Sequence, residues 1–302
     1  MAGCSGTSLS PLNEDAAPLN EDAATAPLLD AGADATVDAG ADTPLDAGRD
    51  AGPVLVADAA TPGATRLIGT SGIARWDALA ASEKARVGEF RSAFLHKSVG
   101  QDLEDGLNAN GIATDYITGA STLTASGVSG GLFDTNNGDG VGKIAEWQAF
   151  AVRNGSSRLR VAIMKFGYAD VSGDLQPLKA AYANAVNAIH AGGMRVLHVT
   201  PPLVFDDAPE NAFKMQMRAW MLATFPTDVT FDLMDVESTN PANGARCERG
   251  GAWEICDNVR STAACSSLAQ GVDAPSGQGH LCSTQGTRIA KAFLDAIYEA
   301  GR

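Results

Sequence analysis

Ser98 stands where an apolar stretch, Ala93-Phe94-Leu95, gives way to Ser98-Val99-Gly100 and then to a turn and short helix reaching Asn108. A serine at the carboxyl end of a strand and the N-terminus of a helix lies among backbone N–H groups and the positive end of the helix dipole. Both stabilise negative charge developing on a nearby oxygen. Gly100 leaves room for a substrate to approach the backbone closely. The same position also suits a serine that only caps the helix. To act as a nucleophile, the hydroxyl needs an imidazole within hydrogen-bond reach. The chain has four histidines: His190 closes a helical pattern, His198 lies in an apolar strand, His96 precedes Ser98 by two residues, and His280 falls in the loop before the last helix. His280 is the candidate base, because a loop at the upper edge of a sheet can fold back over its first strand.

Other patterns compete for a role. Gly127-Val128-Ser129-Gly130-Gly131 satisfies Gly-x-Ser-x-Gly. A nucleophile elbow needs a strand before the serine and a helix after it. Here 121–126 is weakly strand-like and 132–142 is rich in turn residues, so the segment reads as a flexible loop. Asp134–Gly140 looks like a calcium loop, but in the frame ending at Glu146 position 1 is Thr135 and position 8 is Gly142, and the ligand pattern fails. Cys247, Cys256, Cys265 and Cys282 cluster late without any Cys-x-x-Cys, which points away from zinc and toward two disulfides in an oxidising compartment. Three pairings of the four are open. No basic patch invites nucleic acid.

The elements that must position Ser98 and His280 follow from periodicity. Strand patterns occur at 91–97, 115–118, 159–166, 195–200 and 229–235. Helical patterns occur at 143–154, 178–191, 211–225 and 284–300, with Gly192-Gly193 as a C-terminal stop for the second of these. The stretch 244–281 carries the cysteines and is irregular. Strands alternating with helices imply an α/β fold with a mainly parallel sheet covered on both faces. Active sites in such sheets lie at the carboxyl ends of the strands.

The first 63 residues are of another kind. They hold eleven acidic residues against the single Arg49, so they carry −10 of the chain's −14. Pro-Leu-Asn-Glu-Asp-Ala-Ala occurs twice in tandem, and Asp-Ala-Gly recurs at Asp30, Asp38, Asp46 and Asp50. With so little to bury, 1–63 is expected to be a disordered acidic spacer, and 64–302 the folding domain. Ala2-Gly3-Cys4 resembles the end of a bacterial lipoprotein signal, in which the cysteine carries the lipid. Cys4 is therefore the expected anchor, and the domain is expected to be extracytoplasmic, held in the cell envelope or secreted. No run of about 18 apolar residues is present to span a bilayer.

Taken in order, these segments resemble the SGNH (GDSL-type) ester hydrolases. They are most similar to a bacterial branch in which His-x-Ser-Val-Gly replaces the Gly-Asp-Ser block. The matching residues are Phe94–Gly100 with Leu103 and Gly106-Leu107, then Asn137-Gly138-Asp139 with Lys143-Ile144 and Phe150. They continue through Lys165–Asp170 and His198–Leu203 to Gly279-His280-Leu281 with Gly286. The resemblance implies a three-layer α/β/α fold of the flavodoxin-like kind, Ser98 as nucleophile and His280 as base. It implies an acyl or acetyl ester of a small molecule, carbohydrate or lipid as substrate, with no cofactor or metal. Two blocks depart from the family: Ala169 stands where its oxyanion asparagine belongs, and Gly277 where the acid of Asp-x-x-His belongs. Asp273 is then the expected acid orienting His280, unless a backbone carbonyl supports a Ser–His dyad. Ser98, Gly100, Asn137 and Gly138 are the expected oxyanion donors, with Asn136 as another option. The other reading is a catalytically silent carbohydrate-binding or surface-interaction lipoprotein on the same fold.

Overall fold

The computed structural model describes residues 66–275 and 277–302, so the acidic stretch 1–63 and the anchor expected at Cys4 lie outside the described residues. Seven strands form one parallel sheet: β1 (Leu67–Ile68), β2 (Arg91–His96), β3 (Thr114–Tyr116), β4 (Gly127–Leu132), β5 (Val161–Met164), β6 (Arg195–Val199) and β7 (Val229–Phe231). Their order across the sheet is β1-β7-β6-β5-β2-β4-β3, and every pairing is parallel. The helices of eight or more residues are α1 (Ser71–Ala78), α3 (Val99–Ala109), α4 (Gly140–Arg158), α5 (Gln176–Ala191), α6 (Ala208–Thr224) and α8 (Ser283–Gly301). Short α2 (Ala81–Ala85) and α7 (Leu233–Glu237) complete the set, and a small antiparallel ribbon pairs β8 (Glu248–Arg249) with β9 (Ala252–Trp253).

Alternation along the strands divides the core between the two faces of the sheet. Phe94, Val161, Ile163, Leu197 and Val199 pack with Trp76 of α1, Leu103 and Leu107 of α3, and Ile289, Phe293 and Ile297 of α8. Ala93, Leu95, Ala162, Met164 and Val196 pack on the other side with Trp147 and Phe150 of α4, Tyr182 and Ile189 of α5, and Met217 and Met221 of α6. Successive strand residues point to opposite faces, and both faces are dry, which gives the near-continuous apolar strands of a covered parallel sheet. The result is the three-layer α/β/α architecture.

β2 is central. The chain leaves it for β3 and β4 on one side and returns through α4 to β5 on the other, so β2 marks the switch point above which α/β sheets place their crevice. The exits of both neighbours are tied to β2: Phe133 N–H donates to the His96 carbonyl at 3.0 Å and Lys165 N–H to the Leu95 carbonyl at 3.0 Å. The residues following β4 and β5 therefore flank Ser98.

Two expectations are corrected. Gly127–Leu132 is no flexible loop but the inner strand β4, with Ser129 buried opposite Ala93. Its glycines answer to crowding: a Cβ on Gly131 would lie 1.7 Å from the Ile117 carbonyl oxygen, and one on Gly130 would lie 2.6 Å from the Glu104 carboxyl carbon. Beyond Phe231 the chain does not stay extended to 235. It turns at Asp232 into α7, helped by Met234 N–H donating to Thr200 Oγ1. The cysteines pair as Cys247–Cys256 and Cys265–Cys282, one of the three pairings open from sequence.

α3 and α8 meet across Gly106. A Cβ there would lie 2.5 Å from the Gly286 carbonyl oxygen and 2.7 Å from Ala290 Cβ. Gly106→Val is expected to lower the urea midpoint by an amount equivalent to about 1–3 kcal/mol of overpacking, with an unchanged m value. An unaltered midpoint would show that the two helices are not in the close contact described.

Candidate active site

Ser98 joins β2 to α3 with φ 55° and ψ −124°, a left-handed backbone that side chains rarely adopt. Its hydroxyl caps no helix N–H. Instead Ser98 Oγ lies 2.8 Å from His280 Nε2. His280 comes from the loop before α8, which folds back over the end of β2. The loop is held by Ser261 N–H donating to the His280 carbonyl at 2.6 Å.

The other ring nitrogen, His280 Nδ1, lies 2.8 Å from Asp102 Oδ2. A carboxylate accepts only, so Nδ1 carries the proton, and Nε2 is left as an acceptor for the Ser98 hydroxyl. Asp102 is one helical turn beyond Ser98 on α3, which sets both side chains on one face. The acid expected from sequence, Asp273, does not touch the ring. Its Oδ2 accepts the backbone N–H groups of His280, at 2.9 Å, and Gly279, at 3.1 Å, so it shapes the loop that presents the imidazole. Gly277 leaves room for this: a Cβ there would lie 2.5 Å from Asp273 Cβ. The meeting of Ser98 with His280 was thus legible from sequence, while the carboxylate that meets the ring, Asp102, was missed. The available signal was the spacing Ser98 to Asp102 on a helix already expected.

The expected oxyanion donors divide. Gly138 N–H is directed at Asp170 Oδ1, 2.8 Å away, and Gly100 N–H at the Lys97 carbonyl, 3.1 Å away. Gly100 owes its identity to the ring beneath it, since a Cβ would lie 2.3 Å from His96 Cβ. Asn137 Oδ1 accepts from Lys143 Nζ at 2.8 Å, which turns the amide so that its NH2 group is free to donate elsewhere. Ser98 N–H has no protein acceptor among the described residues. Asn136 is exposed beside Asn137. Asp170 is the hub beneath these loops, and sequence reasoning gave it no separate role. It takes Lys143 Nζ on both oxygens, at 3.0 and 2.7 Å, and also Gly167 and Gly138 N–H. Burial lowers the pKa of the Lys143 ammonium, while its contact with Asp170 raises it. Ala169, just before Asp170, offers no side-chain donor.

The remaining titratable groups nearby have other partners. His96 is fully buried on β2, with Nε2 2.8 Å from Glu104 Oε2, and burial lowers the pKa of the ring against the opposing pull of Glu104. Burial also brings Lys165 down to about 7 and pushes Glu237 up to about 8. Lys165 Nζ donates to the Phe166 carbonyl, and Glu237 Oε2 accepts Leu203 N–H. In the loop that resembled a calcium site, Glu146 accepts Asp134 N–H, Thr135 N–H and the Thr135 hydroxyl, so the carboxylate itself ties the turn.

No protein-family model matches the chain, and no curated protein does. Among solved structures, the chain is similar to a protein described as lipolytic and of the G-D-S-L family from Desulfitobacterium hafniense. The two are 10% identical with a TM-score of 0.41 over 68% of this chain and 98% of that one. It is also similar to a protein described as an acylhydrolase from Bacteroides fragilis, 11% identical with a TM-score of 0.34 over 59% of this chain and 86% of that one. Overlaps of this kind assign neither activity nor substrate.

The backbone at Ser98 offers a direct check on the site's geometry. Ser98→Ala and Ser98→Gly both remove the hydroxyl, but only glycine relieves the positive φ. Ser98→Gly is expected to be the more stable of the two by about 1 kcal/mol in thermal or urea unfolding. The reverse order, as at an ordinary helix N-terminus, would contradict the strained conformation.

Proposed function

We propose that this protein is a serine ester hydrolase of SGNH type acting on an acyl or acetyl ester, with Ser98 as nucleophile, His280 as general base and Asp102 as the acid that orients it. The observation that carries the reading is the continuous chain from Ser98 Oγ to His280 Nε2, 2.8 Å, and from His280 Nδ1 to Asp102 Oδ2, 2.8 Å. A helix cap has no use for a base, and a binding site has no use for a serine held in a strained backbone against an oriented imidazole. These two points favour an enzyme over a silent binding module.

The chemistry follows from the geometry. Ser98 Oγ attacks the ester carbonyl as His280 Nε2 takes its proton. The carbonyl oxygen becomes an oxyanion, and Asp102 steadies the imidazolium. Ser98 N–H and the Asn137 side-chain amide are the donors assigned to the oxyanion, with the α3 N-terminus adding its dipole. His280 then gives its proton to the departing alcohol oxygen, leaving an acyl-Ser98. Water, deprotonated by His280, attacks that acyl group. The carboxylic acid leaves and the Ser98 hydroxyl is restored. No step calls on a cofactor or metal. The ester proposed is one carried by a small molecule or a polysaccharide. The two disulfides fit an oxidising, extracytoplasmic compartment. Lipidation at Cys4, with 1–63 as spacer, would tether the enzyme to a membrane surface.

The test is hydrolysis of a short-chain chromogenic ester. Ser98→Ala and His280→Ala are each expected to abolish turnover. Asp102→Asn is expected to lower kcat by about 10³–10⁴, because the amide no longer fixes the productive tautomer. Asp273→Asn is expected to cost far less. Undiminished hydrolysis by Ser98→Ala would overturn the assignment, and a larger loss at Asp273 than at Asp102 would return the acid's role to Asp273.

A further inference from the structure

Asp102 has a partner that the chemistry above does not use. Ser267 is buried, and its Oγ lies 2.6 Å from Asp102 Oδ1, the oxygen that His280 does not occupy. The Ser267 hydroxyl has one hydrogen to give, and two backbone groups decide where it goes. Ala269 N–H and Gln270 N–H both donate to Ser267 Oγ, at 3.1 and 3.0 Å. With its lone pairs engaged, the oxygen directs its own hydrogen to the carboxylate. Leu281 N–H donates to Asp102 Oδ2 at 3.0 Å, beside the imidazole. Asp102 is therefore gripped on both oxygens.

Both grips come from one covalently closed segment. Cys265 and Cys282 are joined, and Ser267 lies two residues inside one end of that loop while His280 and Leu281 lie just inside the other. Ser283 N–H donating to the Ser266 carbonyl at 2.9 Å holds the same two ends together. Asp102 comes from α3, a different part of the chain, and enters between them.

We infer that Ser267 is a positioning residue for the proposed hydrolysis: its directed hydroxyl fixes the rotation of the Asp102 carboxylate, so that Oδ2 stays aligned with His280 Nδ1. This rests on the Ser98–His280–Asp102 reading. Without that hydrogen bond the carboxylate can turn about χ2 and the imidazole loses its fixed orientation. Substrate binding is untouched, because Ser267 reaches the reacting atoms only through Asp102.

The experiment compares kcat and KM on a short-chain chromogenic ester for the wild type, Ser267→Ala, Ser267→Thr, Asp102→Asn and the Ser267→Ala/Asp102→Asn double variant, with thermal midpoints measured alongside. Ser267→Ala is expected to lower kcat by about tenfold to a hundredfold, the usual effect of losing a hydrogen bond to a charged group, with KM unchanged. Ser267→Thr keeps the hydroxyl and is expected to recover most of the rate. Adding Ser267→Ala to Asp102→Asn is expected to cost nothing further, because the group it positions is already lost. A folded Ser267→Ala protein with wild-type kcat overturns the inference and leaves the hydrolase reading standing. So does a double variant in which the two losses multiply. If Ser267→Ala does not fold, Ser267→Thr with a rate as low as Asp102→Asn overturns it too. A wild-type protein that hydrolyses no ester overturns the hydrolase reading, and this inference with it.

Discussion

The carboxylate of Asp102 is the point at which separate parts of this chain are made to agree. It is nearly excluded from water, and a buried carboxylate is tolerated only where donors replace its hydration. The donors are the Ser267 hydroxyl, Leu281 N–H and His280 Nδ1–H, all from the segment closed by Cys265–Cys282. Removing the Ser267 hydroxyl would leave Oδ1 without the donor it has here, in a dry place. Docking of that segment onto α3 is therefore fixed by electrostatics, and the position of His280 over Ser98 follows from it. The close approach of α3 and α8 at Gly106 sets the distance over which this docking occurs.

A second buried charge does similar work on the other side of Ser98. Asp170 collects Lys143 and the N–H groups of Gly138 and Gly167, joining the loop after β4, the start of α4 and the loop after β5. Through Lys143 it also sets the Asn137 amide. Ala169 offers no side-chain donor, while Asp170 beside it ties these loops together. The buried His96–Glu104 pair lies beneath Gly100, and the buried Lys165 ammonium is held by the Phe166 carbonyl.

Much of the architecture was readable because parallel strands covered on both faces leave a plain trace. The runs around Phe94, Ile163 and Leu197 alternated with helical periodicity, and the order of elements followed. The contact between Ser98 and His280 was readable because a strand-to-helix junction and a late loop both come to the carboxyl ends of the strands in α/β sheets. Asp102 was not singled out, because the family pattern drew attention to the residues just before His280, and because an acidic residue on a helix is usually solvated. Tertiary contacts, with hydrogen bonds from Ser267, His280 and Leu281, bury it. The Gly127–Gly131 run was misread for a related reason. Glycine in sequence suggests freedom, but here it records how closely Ile117 and Glu104 press on β4. The turn at Asp232 depends on Thr200, 34 residues away from the Met234 it caps, which no local pattern carries.

The most direct test of the account is covalent capture of the nucleophile. The folded protein is treated with a serine-directed phosphonate ester and analysed by intact mass and peptide mapping. Ser98, activated by His280, is predicted to take one phosphonate per chain, with labelling lost on denaturation and in Ser98→Ala. An adduct at Ser129 or another serine, or a folded chain that takes up no phosphonate, would contradict it.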